Sequence, residues 1–161
     1  MDLRVSSGKS DRLSQAEYFD DRLLRLRFSV DITSRETTRE LAGAKGTLII
    51  LGKSVVDSRL YGVLGREEFP VELSLRKPFH FDAKTITTEY DDKGTGSKYG
   101  YRYLGYVLVV QDSSGAIIRA DSSPETYSKL AQKALNLKTA NVVDRNLEPA
   151  KGGSYTTVIV K

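Results

Sequence analysis

The stretch Arg22–Thr33, RLLRLRFSVDIT, places Leu24, Leu26, Phe28, Val30 and Ile32 at every second position, with Arg25, Arg27, Ser29, Asp31 and Thr33 between them. Successive side chains of a strand point to opposite faces, so this period predicts a strand with one buried and one wet face. It is the strongest local signal in the chain, and it demands a second apolar layer to cover the buried face.

Candidates for that layer follow along the chain. TLIIL (47–51) is apolar on both faces and short, as an interior strand is. SRLYGVL (58–64), FPVELSL (69–75), FHF (79–81) and TITTEY (85–90) are further strand-like runs, separated by turn residues at spacings of about ten. GSKYGYRYLGYVLVVQ then carries four tyrosines into an aliphatic run. It turns at DSSG (112–115) and returns as AIIRA, where Asp112 first and Gly115 last suit a hairpin turn.

Two helical signals break the pattern. Ser14 and Glu17 have capping-box spacing, so residues 1–21 read as a flexible or partly helical lead-in. Ser122 with Glu125, and Pro124 in the first turn, predict an amphipathic helix over about residues 124–136 with Tyr127, Leu130, Ala131 and Ala134 on one side. The tail SYTTVIVK (154–161) is rich in β-branched residues and reads as a last strand. Residues 22–161 are thus expected to form one mainly β domain, a β-sandwich with one short helix near the C-terminus; a closed barrel is the alternative.

Composition bounds the function. A chain of 161 residues is large enough to bury a core as one domain, and 39% hydrophobic with 29% charged residues is too apolar for a disordered chain. With no cysteine there are no disulfides, no thiolate nucleophile and no cysteine-ligated zinc, and only one histidine is present. Twenty-five basic against 21 acidic residues, net +4, is mildly basic and no nucleic-acid signature by itself. The apolar runs fall short of the roughly 20 residues of a membrane helix, and DLRVSSGKSDR after Met1 lacks the apolar core of a cleavable signal.

LGKS (51–54) resembles the end of a phosphate loop, but the upstream Gly46 is one residue too far away and the intervening TLIIL is strand-like, so a turn with an exposed Lys53 is expected. A calcium loop starting at Asp91 fails, with Lys93 third and Arg102 twelfth; a different cation site using Asp91 and Asp92 stays open. His80, between Phe79 and Phe81, faces opposite to them and reads as a surface or edge histidine. No catalytic residue, cofactor or metal is expected from these motifs.

What is left is a candidate interaction surface: Tyr99, Tyr101, Arg102 and Tyr103 on the tyrosine strand, and Arg25 and Arg27 on the first. Tyr99, Tyr101 and Tyr103 share a face with Val107 and Val109, unless Gly105 marks a bulge that changes the phase. One reading makes the tyrosines core or rim residues; another makes them a stacking platform for single-stranded nucleic acid or sugar, with Lys98 and Arg102 for phosphate.

With the strand series and the GYRYLGYVLVVQDSSGAIIRADSSP hairpin in view, residues 22–122 resemble immunoglobulin-like β-sandwich proteins, and more specifically those associated with type IV pili in bacterial outer envelopes. The cysteine pair and buried tryptophan of antibody-type domains are absent. The resemblance implies a non-enzymatic interaction domain of the cell envelope, periplasmic or surface-exposed, with protein partners in pilus or surface assembly; it supplies no functional residues. The alternative is a cytoplasmic nucleic-acid-binding domain using the tyrosine strand and its flanking basic residues.

Overall fold

The computed structural model describes residues 1–13, 22–34, 41–74, 77–91 and 98–151. Among them run nine strands: β1 (Asp2–Leu13), β2 (Arg22–Thr33), β3 (Leu41–Ser54), β4 (Tyr61–Leu73), β5 (Phe79–Asp82), β6 (Ile86–Asp91), β7 (Tyr99–Gln111), β8 (Ile117–Ser123) and β9 (Val142–Val143). A 3-10 turn, Glu125–Leu130, leads into a single-turn helix, α1 (Ala131–Ala134). All pairings are antiparallel, in the order β1-β2-β6-β7-β3-β4-β9, with β5 also on β2 and β8 on β7. The chain is mainly β with a short helix near the C-terminus, as its pattern predicts. Among the described residues no helix is long and apolar enough to cross a membrane.

The sheet folds over itself and buries β2 as its alternation requires. Leu24, Leu26, Phe28, Val30 and Ile32 meet Leu48 and Ile50 of β3, Phe69 and Val71 of β4, and Leu108 and Val110 of β7. TLIIL serves two cores at once: Leu48 and Ile50 face this inner one, whereas Ile49 and Leu51 face outward beneath Tyr127, Ala131, Ala134, Leu137 and Leu147. The short helix and the chain after it therefore form a third layer over the outer face of β3, β4 and β7. That explains a central strand with no polar side.

Three expectations are corrected and one is refined. Residues 2–13 of the supposed lead-in form β1, paired along the whole of β2 from Asp2 opposite Thr33 to Leu13 opposite Arg22. An edge strand takes main-chain hydrogen bonds from its neighbour and needs no apolar period of its own, so nothing in the sequence announced it. The runs at 58–64 and 69–75 are not two strands: Ser58–Leu60 belong to a turn, and Tyr61–Leu73 is one long strand re-phased by a register shift between Ile50 and Leu51 of its neighbour. The helix expected over about 124–136 is present over Glu125–Ala134, as a 3-10 segment continued by one α turn, but its capping box does not form. The Ser122 hydroxyl instead donates to the Pro124 carbonyl at 2.7 Å. LGKS lies within the end of β3 and not in a turn, although Lys53 is exposed. The capping-box residues Ser14–Glu17, Asp92 and the tail 154–161 lie outside the described residues.

The tyrosine strand β7 is the corner of the fold. Its first residues pair with β6, Tyr99 opposite Asp91 and Gly100 opposite Tyr90, and from Tyr101 onward it pairs with β3. Gly100 makes this corner with φ +87°, a conformation that other residues rarely adopt. A second irregularity follows, where Gly105 opposes Leu51 and Tyr103 opposes Gly52, leaving Leu104 as an extra residue.

Candidate interaction surface

The bulge at Leu104 decides where the tyrosines point. Tyr101, Tyr103, Tyr106, Leu108 and Val110 all pack on the inner core, while Leu104, Val107 and Val109 pack on the outer one. The phase change that Gly105 left open in the sequence is thus present. Gly105 itself lies against the end of β8: a Cβ there would stand 1.6 Å from the Ser123 carbonyl oxygen.

The tyrosines consequently divide. Tyr101 is only 2% exposed. Tyr103 is half-buried, its ring 5.8 Å from that of Phe28. Tyr99 lies outside the inner core, and its hydroxyl donates to Glu89 at 3.3 Å. The expectation that Tyr99, Tyr101 and Tyr103 share one face therefore fails for Tyr99, because the corner at Gly100 intervenes. A stacking platform needs exposed ring faces, and Tyr101 and Tyr103 spend theirs on the core.

The arginines remain at the surface but on different parts of the sheet. Arg25 and Arg27 project from the wet face of β2, opposite Ser10 and Gly8 of β1. Arg102 is exposed on β7, in register with Lys53, and its guanidinium lies 5.7 Å from the Tyr90 ring centre. Strand β6 lies between β2 and β7 in the sheet order, and of the six candidate residues Tyr101 is buried and contributes no surface.

His80 behaves as its flanking phenylalanines predict. Phe81 and Phe79 stack on Phe69 with ring centres 4.0 and 6.0 Å apart, while His80 points outward. Its Nδ1 lies 2.7 Å from Asp31 and its Nε2 3.1 Å from Asp82, and the bond to Asp31 raises its pKa above the ordinary histidine value. Among the described residues no group of three or more histidine or acidic side chains is placed to hold a metal ion.

Two other surface features stand out. The β3–β4 connection exposes Val56 at 64%, on a turn held by Ser54 Oγ, which accepts from the amides of Val56 and Asp57. Next to it Arg59 grips the Asp57 carboxylate with two hydrogen bonds and lowers its pKa to about 2. Beside α1, a hollow of about 340 Å³ is lined by Lys133, Asn141 and Glu148. Two of its polar side chains are engaged with their neighbours: Lys133 pairs with Glu148, and the Asn141 side chain accepts from the Lys138 amide.

The remaining feature is β8. One edge pairs with β7, Tyr106 opposite Ser123 through Val110 opposite Arg119, and no strand among the described residues pairs with the other; β1 passes close without a ladder between them. Ile117 and Ile118 are exposed at 36% and 39%, and Arg119 is exposed beside them. Sequence reasoning identified the hairpin but not this edge, because AIIRA has the composition of a core strand. A signal was present in Arg119, which interrupts the apolar run. No protein-family model matches this chain, and no curated protein matches it.

Proposed function

We propose that the chain is a non-catalytic protein-interaction domain of the bacterial envelope, serving pilus or surface assembly. The observation that supports the interaction is the edge of β8 that no strand among the described residues pairs with, Ile117 and Ile118 being exposed at its start. An edge strand offers a row of main-chain donors and acceptors, the chemistry by which extended segments add to a sheet. The envelope location rests on the resemblance of the strand series and the 100–124 hairpin to immunoglobulin-like pilus-associated proteins.

The test is to express the native gene with a C-terminal tag, fractionate the cells and add protease to intact cells. Recovery with the envelope, in the periplasm or cleaved at the surface, is the expected outcome. A cytosolic, protected protein overturns the location. Arg25, Arg27 and Arg102 then become the residues to test for nucleic-acid binding, with a steep loss of affinity in salt as its mark.

A further inference from the structure

Along the edge that no strand among the described residues pairs with, β8 is complementary to itself. We infer that β8 pairs antiparallel with β8 of a second copy of this chain, about a two-fold axis at Ala120. This rests on the interaction reading above and names the partner. In that register Arg119 of each copy stands opposite Asp121 of the other, so two opposite-charge pairs form at once.

The placement of these side chains supports the register. Arg119 and Asp121 oppose Val110 and Leu108 on β7, both inner-core residues, so the two charges lie on one face of β8 and meet across the axis on the same side. Arg119 is exposed and makes no ion pair among the described residues. Asp121 accepts from the Tyr106 hydroxyl through Oδ2, which steadies the carboxylate and leaves Oδ1 for an incoming guanidinium. The axis also suits the ladder where β8 is regular: between Arg119 and Asp121, clear of the irregularity at Ile118, residues on either side of Ala120 share the same parity, so the amides that point outward in one copy meet the matching set in the other. An interface of one short strand pair is small, so the association is weak and concentration-dependent.

The absence of cysteine makes the test clean. In Ala120→Cys the two new thiols lie across the axis, where opposed Cα atoms are about 4.5–5.5 Å apart, within disulfide reach. Mild oxidation with diamide at high protein concentration is expected to give a covalent dimer. Ile117→Cys is the control: its two copies lie about 20 Å apart in this register and stay monomeric. Adding Arg119→Glu, an exposed change, to Ala120→Cys is expected to slow cross-linking about tenfold, since both attractive pairs become repulsive. Equal cross-linking of both cysteine variants, or no cross-linking of an Ala120→Cys protein that melts like its parent, overturns the pairing. If that monomeric protein cross-links in envelope fractions to a different protein, homotypic pairing fails and the interaction reading stands. If it cross-links to nothing, β8 is no interaction edge and both fail.

Discussion

The Tyr106 hydroxyl donates to Asp121 Oδ2 at 2.8 Å, tying β7 to β8 at the rim of the inner core. Burial, then the bond to Asp121, pushes the Tyr106 pKa well above the ordinary phenol value. Tyr106→Phe is expected to cost about 1.5–3 kcal/mol, the range for a hydrogen bond to a charged group. Urea denaturation measures it, and an unchanged midpoint would show that the bond contributes nothing.

His80 makes stability depend on pH in a defined direction. Its pKa is raised in the folded protein, chiefly by the bond to Asp31, which is itself opposite Arg4 on β1. The stabilisation is therefore complete below the unfolded value of about 6.5 and is lost as pH rises through the folded value. NMR titration of the ring protons is expected to give a midpoint above that value, and Asp31→Asn to bring it down. A wild-type midpoint at or below it would refute the pairing.

Gly105→Ala is expected to prevent folding or to destabilise severely. The new Cβ meets the Ser123 carbonyl, a backbone atom that cannot rotate away. Expression and thermal melting test this, and a variant with parental stability would mean that the Leu104 bulge relaxes freely.

Tyr101→Ala and Arg102→Ala separate core from surface. Tyr101 is buried, and its truncation should cost about 3–5 kcal/mol, as for other large aromatic side chains. Arg102 is exposed with its guanidinium over the Tyr90 ring, and its truncation should cost about 0.5–1 kcal/mol. Comparable losses from the two would place Arg102 in a structural role.

The parts of the fold legible in the sequence are those governed by local period. The alternation of β2, the two-sided run of β3, and the β7–β8 hairpin with its Asp112–Gly115 turn all appear as read. What the period could not carry depends on a neighbour. β1 exists because β2 offers an edge; the capping box of Ser122 and Glu125 is lost because the Ser122 hydroxyl bonds to Pro124. The candidate site suffered most, since the directions of Tyr99, Tyr101 and Tyr103 turn on Gly100 and on the extra residue Leu104, both set by pairing with β6 and β3.

The double burial of β3 has a consequence for how the chain finds its alignment. A one-residue slip of a strand with one wet face exposes its whole apolar set and is rejected at once. Slipping Leu48–Leu51 merely exchanges one aliphatic row for another, so hydrophobicity discriminates poorly between alignments at the centre of the molecule. Discrimination falls to steric keys: Gly46, where any Cβ would collide with the Phe69 ring, and Gly52, wedged between Leu64 and Tyr101. These glycines act as the notches by which the central strand is indexed, and substituting them should scramble alignment before it lowers burial.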